Sequence, residues 1–372
     1  MMFYSNFFKK KSYVFFGETH SPNLGDSVIC NVAKVIIENT FGIQDVYIQD
    51  VSYILRSNDA NLQKIRLLCQ RIHIDSKRFE KWYYTAILSI NIPRNSNICY
   101  VGGALFQDFF INQILLVLKI ARIKNCSFAT ISLGIGLLSS NNICRLRNGL
   151  KCIKKVDLSL RDGIDFFKLQ VDKRAYWSPD IAIMTKYVYG NKPRNNNTIG
   201  IGCIDMCYYN RNFPNKPVST EEYQNKMIYL VKDLLRNGFS VELFCNGDYQ
   251  DYITAEKIYN KVNDSKCALR PRPQNDKELV DIISSYLCII SARLHSLIIS
   301  YSYDIPFIGI EWDNKVKAFA DTLNLGMFVF KMNDICEINS DMVKKRLQIG
   351  FNSQIRKQQE ECIIERIKKI LG

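Results

Sequence analysis

The chain has 372 residues, which sets one or two domains as the expectation. At 47% hydrophobic and 23% charged it has the make-up of a globular protein, and no stretch approaches the ~20 apolar residues of a membrane span. Lys and Arg outnumber Asp and Glu by 50 to 36, a formal net charge of +14, which favours an anionic partner without choosing among phosphorylated substrate, acidic membrane face and nucleic acid.

The first residues, MMFYSNFFKKK, put aromatics before lysines, the reverse of a signal peptide; they read as a disordered start or as a segment touching a membrane surface. Tyr13 to Gly17 is a first strand. A loop from Glu18 to Asn23 follows, and Gly25-Asp26 opens a helix with apolar spacing at Val28, Val32, Val35 and Ile36. Asp45 to Ile48 is a second strand and Ala60 to Ile72 a basic amphipathic helix. Tyr83 to Ile90 is aromatic and aliphatic but carries no clear period. Asn97 to Val101 is a strand running into Gly102-Gly103-Ala104, and Ile111 to Ile123 a helix. Phe128 to Leu133 is a strand entering Gly134-Ile135-Gly136. A helix over 142–154 leads to a strand over 157–160, which ends at Arg161-Asp162 before a helix over 164–169. Pro179-Asp180 follows a short Tyr176-Trp177 segment.

At Asn191 to Asn197 the composition turns to NKPRNNN, the best domain boundary in the chain. A second alternating set follows: strand 198–203, helix 221–236, strand 239–245, helix 251–262, strand 267–269 and helix 276–284. Leu287 to Ser291 is then a buried strand, with Arg293-Leu294-His295 where the next helix begins. Asp304-Ile305-Pro306 stops that helix. Phe307 to Ile310 is another strand, and Glu311-Trp312-Asp313-Asn314-Lys315 leaves its carboxyl end. Helices over 341–348 and 353–371 close the chain. Their basic residues (Lys344, Lys345, Arg346, Arg356, Lys357, Arg366, Lys368, Lys369) read as a solvated face, or more sharply as a membrane-surface face.

Strand–helix alternation in both halves predicts an α/β protein with two doubly wound, Rossmann-like domains facing across a cleft, the GT-B-like plan. The expected divisions are 1–190, 198–340 and the closing helices 341–372. Neither half has a GxGxxG turn after its first strand, and no GxxxxGK[ST] loop occurs, which disfavours a nicotinamide cofactor and a P-loop hydrolase. The thirteen cysteines are odd in number, and Cys126, Cys245 and Cys288 lie inside apolar runs. No CxxC pair or zinc-type Cys/His spacing occurs, and Cys203/Cys207 reads as incidental; buried free thiols in a reducing cytoplasm are the economical reading. No carboxylate cluster with metal spacing appears, so no metal is expected. The basic residues are spread along the chain without an aromatic–basic module, which argues against nucleic acid.

Five loops fall at carboxyl ends of predicted strands, where open α/β sheets bind ligands: Asn23 to Asp26, Gly102-Gly103-Ala104, Arg161-Asp162, Arg293-Leu294-His295, and Glu311 to Lys315. Each has an ordinary reading too: a helix cap for Asp26, a tight turn for Gly102-Gly103, a surface ion pair for Arg161-Asp162. His20 and His73, in a loop and a basic helix, read as solvated. His295 differs by its place at a helix N-terminus beside arginine, a setting suited to an anion.

The order and spacing of these loops resemble the polysaccharide pyruvyl transferase family. The matching elements are NLGD at 23–26, GGA at 102–104, SLRD at 159–162, PD at 179–180, RLHSLIIS at 293–300 and DNK at 313–315, within about residues 13 to 325. The chain departs from the pattern in two places: Ala104 stands where the third glycine is usual, and no serine follows soon after Arg161-Asp162. The resemblance implies a two-domain glycosyltransferase-like fold. It also implies transfer of the enolpyruvyl unit of phosphoenolpyruvate to two hydroxyls of a sugar bound for a bacterial surface polymer, with release of phosphate. It assigns Arg161 and His295 to the donor.

The chemistry fits those residues. Arginine grips a carboxylate or phosphate in a bidentate way that lysine cannot. His295 serves as the acid that protonates the donor's methylene carbon, or as a phosphate ligand. Asp26, expected across the cleft, takes a hydroxyl proton, while Arg293 and Lys315 stabilise the leaving phosphate. Asn23, Gly25, Gly102, Gly103, Asp180 and Glu311 are the expected acceptor-side or cleft positions. No cofactor is expected beyond the donor. The acceptor is a sugar, lipid-linked in one version, and the setting cytoplasmic, with peripheral membrane contact in that version. The competing reading is a nucleotide-sugar glycosyltransferase of the same architecture, with Glu311 on the ribose hydroxyls and the basic residues on the diphosphate.

Overall fold

A computed structural model describes residues 12–43, 46–51, 64, 67–69, 71, 85, 88–194 and 197–372. The chain forms two compact units. Unit 1 takes Met1–Thr19, Ile43–Ser178 and Arg366–Gly372; unit 2 takes His20–Gly42 and Pro179–Glu365.

The chain opens with β1 (Tyr13–Gly17) and α1 (Leu24–Phe41). It continues through β2 (Ile48–Asp50), β3 (Asn97–Val101), α2 (Ile111–Ile123), β4 (Ser127–Leu133), α3 (Ser140–Lys151), β5 (Val156–Leu160), α4 (Ile164–Gln170) and β6 (Tyr176–Trp177). Unit 1 holds all of these except α1. Its sheet has the order β2-β1-β3-β4-β5-β6 and is parallel throughout. Helices cover both faces of such a sheet, which is why β3 and β4 read as near-continuous apolar runs. α2 buries Ile111, Ile114, Val117, Leu118 and Ala121, one stripe at helical spacing. Under it, Phe106 stacks on Phe167 with ring centroids 5.0 Å apart, and Phe16 on Tyr100 at 5.1 Å.

After α1, unit 2 resumes with a 3₁₀ turn (Ile181–Met184) and α5 (Thr185–Tyr189), then β7 (Thr198–Gly202), α6 (Met206–Asn212), α7 (Thr220–Arg236), β8 (Ser240–Phe244), α8 (Tyr249–Val262) and β9 (Cys267–Leu269). It goes on with α9 (Asp276–Ser284), β10 (Cys288–Ser291), α10 (Leu294–Ser302), β11 (Phe307–Glu311), α11 (Asn314–Thr322), β12 (Val329–Lys331), α12 (Ser340–Leu347) and α13 (Ser353–Leu371). The sheet order is β12-β11-β10-β7-β8-β9. From β7 the chain winds outward through β8 and β9, then returns to the other side of β7 with β10. The switch point of this sheet is therefore β7/β10, the place where a doubly wound sheet opens a ligand crevice. The sequence pattern gives no sign of α6, α11 or β12.

The division differs from the expected boundary at 190. α1 follows β1 in the chain yet packs on α9, α10, α5 and the 3₁₀ turn of unit 2. Its stripe Val28, Ile29, Val32, Ala33, Ile36 and Ile37 is wholly buried there. The polar stretch after Gly190 is tied into unit 2 as well: Lys192 pairs with Asp281 at 2.7 Å, and Arg194 donates to the Tyr303 carbonyl. The N-terminal segment, His73, most of the expected helix over 60–72 and half of the stretch over 83–90 lie outside the described residues, as does Asp45 of the expected second strand.

The basic closing helices are not uniformly solvated. Arg346 is fully buried, its guanidinium 4.8 Å from the Phe351 ring centroid and 5.4 Å from that of Phe328. It donates to the carbonyls of Phe307 and Ile349, and burial pulls its pKa down to about 10. Arg356 lies over Tyr301 and pairs with Asp304 at 2.7 Å. In unit 1, Arg366 lies 4.1 Å over Tyr176, and Lys369 pairs with Asp157 at 2.8 Å. Lys344, Lys345 and Lys368 stay exposed. The cysteines are free thiols; Cys126, Cys203, Cys245 and Cys288 are buried, whereas Cys144, Cys152, Cys207 and Cys336 are exposed. Among the described residues no helix is long and apolar enough to cross a membrane.

Candidate active site

α10 is buried along its whole length, as its all-round apolar sequence requires. Its three serines are satisfied locally. Ser296 Oγ donates to Asn246 Oδ1 (2.7 Å), Ser300 Oγ to the Leu297 carbonyl (2.8 Å), and Ser302 Oγ accepts from Lys186 N (2.8 Å). Arg293 is its N-cap in extended conformation, with no side-chain cap, so the first-turn N–H groups point out past the end of β10.

His295 occupies that first turn with its side chain 6% exposed. Its Nδ1 lies 3.8 Å from Asp26 Oδ1 and its Nε2 3.9 Å from Asp180 Oδ2. Both carboxylates are held by their other oxygen. Asp26 Oδ2 accepts from Ser21 Oγ (3.0 Å) and Asn23 Nδ2 (3.3 Å), while Asp180 Oδ1 accepts from Ala182 N (2.9 Å) and caps the 3₁₀ turn. Each ring nitrogen of the buried imidazole thus has an oriented carboxylate just beyond hydrogen-bond reach.

Gly25 explains how α1 reaches this place. A Cβ there would stand 2.4 Å from His295 Cβ, so only glycine lets the start of α1 lie on the start of α10. Leu24 N donates to the Asn246 carbonyl (2.8 Å) and closes the same junction. Asp26 is therefore a neighbour of His295 within unit 2, not a residue facing it from the other domain as the sequence suggested.

Arg293 does not point outward with His295 alone. Its Nε donates to Asp251 Oδ2 (2.8 Å) and its Nη2 lies 2.7 Å from the same oxygen, while Asp251 Oδ1 accepts from Asp205 N (2.9 Å). The guanidinium carbon lies 4.6 Å from the Tyr208 ring centroid and 5.4 Å from that of Trp312. Tyr208 in turn donates to Asp248 Oδ2 at 2.7 Å. Burial pushes the Asp251 carboxyl up to about 6 against the pull of Arg293, and the Asp251 carboxylate keeps the Arg293 pKa above its ordinary value. Lys315 Nζ is 3.6 Å from Asp313 Oδ2 at the start of α11, and Glu311 ends β11 half-buried.

In unit 1 the loops after β3, β4 and β5 form a second group. Gly102 and Gly103 take positive φ (46° and 69°), and Gly134 N donates to the Gly103 carbonyl (2.7 Å). Ala104 does not take positive φ, so the alanine costs the turn no strain. Arg161 follows β5 with its side chain 6% exposed and its Nε 3.4 Å from Asp162 Oδ2; the other oxygen of Asp162 accepts from Ile135 N (2.7 Å). A Cβ on Gly134 would stand 2.9 Å from Arg161 Nε, so this glycine makes room for the guanidinium.

Asn23, Gly25, Asp26, Asp180 and His295 are thus one cluster in unit 2, with Arg293 beginning the same helix but engaged by Asp251. Lys315 and Glu311 follow the adjacent strand. Arg161, Gly102 and Gly103 are gathered in unit 1. The sequence reading missed Asp251, Tyr208 and Asn246, and gave Trp312 only as part of the Glu311 to Lys315 loop. A signal existed for Asp251: it falls on the inward stripe of α8 with Thr254, Ala255, Ile258 and Val262, where a carboxylate needs a partner. Among the described residues no group of three or more His, Cys, Asp or Glu side chains is placed to hold a metal ion.

Comparison with known proteins gives three findings. The family model described as polysaccharide pyruvyl transferase matches residues 23–314. No curated protein sequence matches. Among solved structures, UDP-GlcNAc 2-epimerase from Methanocaldococcus jannaschii in complex with UDP-GlcNAc and UDP aligns with TM-score 0.53 at 9% identity, over 96% of this chain and 99% of that one. An α,α-trehalose-phosphate synthase (UDP-forming) from Burkholderia vietnamiensis aligns with TM-score 0.49 at 9% identity, over 97% and 96%. The first likeness is one of fold: two Rossmann-like halves on the GT-B-like plan.

Proposed function

Because the chain belongs to the polysaccharide pyruvyl transferase family, and is thus a transferase, we propose that it moves the enolpyruvyl unit of phosphoenolpyruvate onto a sugar of a bacterial surface polysaccharide or its lipid-linked precursor. The observation that carries this reading is His295 held between Asp26 and Asp180.

Enolpyruvyl transfer begins with a proton delivered to the methylene carbon, which leaves the neighbouring carbon electrophilic. An imidazolium between two carboxylates is a suitable acid for that step. One sugar hydroxyl then adds to the electrophilic carbon, and the bond from that carbon to the phosphate oxygen breaks. The second hydroxyl closes the ketal. Of the two hydroxyl protons released, one restores His295 through Asp26 and the other leaves with phosphate. Arg293 and Lys315 stabilise the departing phosphate. The donor itself carries the transferred group, so the reaction calls for no further cofactor.

The test is phosphate release from phosphoenolpyruvate by the purified protein, with and without a panel of galactosides, glucosides and acetamido-mannosides. The reading expects release that depends on one class of sugar, with the pyruvate recovered as a ketal on it. Sugar-dependent turnover of a nucleotide sugar, with phosphoenolpyruvate left intact, would replace it by the glycosyltransferase reading.

A further inference from the structure

We propose that Asp251 is a positioning residue: it acts on the donor through Arg293, whose guanidinium it fixes at the β7/β10 switch point. This rests on the reading of Arg293 as a donor ligand. Asp251 is wholly buried, at 0% exposure, on α8, while Arg293 retains only 7%. One carboxylate oxygen accepts from Nε of Arg293 (2.8 Å) and stands 2.7 Å from its Nη2. In a planar guanidinium that side-on grip turns Nη1 away from the carboxylate. The other carboxylate oxygen is tied to Asp205 N, at the start of α6 just past β7, so the loops after both switch-point strands are locked to one group.

The plane of the guanidinium is set separately. Tyr208 lies against it at 4.6 Å and is itself anchored by its hydroxyl on Asp248, the N-cap of α8; Trp312, just past β11, lies at 5.4 Å. Segments following β7, β8 and β11 thus hold one cation at the end of β10. A single ion pair would neutralise a buried arginine; two rings fixing its plane add what an oriented ligand needs. Arg293 Nη2 has no hydrogen bond of good geometry even beside Asp251, so the pair is arranged for direction more than for saturation of the donor set.

The test measures phosphoenolpyruvate affinity by calorimetry in wild type, Asp251→Asn, Arg293→Gln and the double variant, with melting temperature as the control for folding. Asp251→Asn is expected to weaken binding at least about tenfold, and to add less than about twofold once Arg293 is Gln, since coupled residues do not act additively. Equal affinity of Asp251→Asn and wild type, or additive losses, overturns the proposal. If Asp251→Asn does not fold, Tyr208→Leu serves: the ring is half-buried at the surface, and its loss is expected to weaken binding several-fold; unchanged affinity again overturns the proposal. A ligand-free readout separates this claim from the proposed reaction. Phenylglyoxal labelling, followed by mass spectrometry, is expected to modify Arg293 faster in folded Asp251→Asn and in Tyr208→Leu than in wild type, and equal rates contradict the positioning role. Wild type that fails to bind phosphoenolpyruvate while Arg293 labelling still rises in the variants sinks the reaction, not the placement.

Discussion

His295 and Asp251 are both buried polar side chains, and the chemistry around each makes opposite demands. His295 faces two carboxylates whose remaining oxygens are occupied by Ser21, Asn23 and Ala182 N, so the field at the imidazole is fixed before any ligand arrives. Replacing His295 by Ala is expected to lower turnover at least about a hundredfold, the usual worth of a positioned general acid, while the melting temperature moves by only a few degrees. Steady-state phosphate release and a thermal melt check the two halves of that statement. Asp251 makes a pH prediction. Its carboxyl is raised to about 6, first by burial and then by Asp248, with Arg293 and the Asp205 N–H pulling the other way. A raised folded-state value means the native state holds the proton more tightly than the unfolded chain. The resulting stabilisation is complete below about pH 4 and disappears as the pH rises through about 6. Denaturant unfolding between those pH values should therefore show wild type losing stability relative to Asp251→Asn; a constant difference would refute the assignment. At this scale the sequence made His295, Asp26 and Asp180 legible because short motifs carry them. Asp251 was hidden: an acid in a polar-looking DYQD start of a helix betrays its burial only when the inward stripe is counted through to Val262.

Between elements, the approach of α1 to α10 depends on one missing methyl group. Gly25→Ala brings a Cβ to within 2.4 Å of another Cβ, neither of which can rotate away. An overpacking cost of about 1–3 kcal/mol is expected, with turnover falling more than stability because His295 is the atom group displaced. Urea unfolding and kinetics on the same preparation test this; full activity would show that the two helices do not meet as described. Arg346 is the second case. It is fully buried among Phe307, Phe328 and Phe351 and donates to two carbonyls. Arg346→Ala removes a large side chain and unpairs those carbonyls, so a loss of about 3 kcal/mol is expected by denaturant unfolding. From the sequence, Arg346 belongs to a basic triplet with the exposed Lys344 and Lys345, and nothing in composition separates it from them. Spacing does: Val343 and Arg346 are three apart, on the inward face. Strands and amphipathic helices were legible because both have strong periods. α6, α11 and β12 were not: α6 and α11 are short with polar residues among the apolar ones, and β12 is only three residues long.

Across the whole molecule, contact patterns rather than chain order decide what folds together. α1 leaves one unit and joins the other, and the closing helix ends with unit 1, where Tyr13 Oη donates to the Leu371 carbonyl and Lys369 pairs with Asp157. Removing residues 366–372 should therefore loosen unit 1 although the cut lies far from it in sequence; limited proteolysis is expected to cleave earlier within 97–178 than within 198–345. Equal protection would contradict this. A strand–helix alternation predicts two doubly wound halves well, since every period is local. Which half a helix joins is a tertiary matter, and a polar NKPRNNN stretch marks a loop without saying whether a boundary runs through it. Central to the account is a donor carrying phosphate and carboxylate, held beside His295. Calorimetric titration of phosphoenolpyruvate into wild type and His295→Gln tests it most directly: saturable binding by wild type, weakened about tenfold or more in the variant, is the predicted result, and binding of nucleotide sugars with no heat from phosphoenolpyruvate would contradict it.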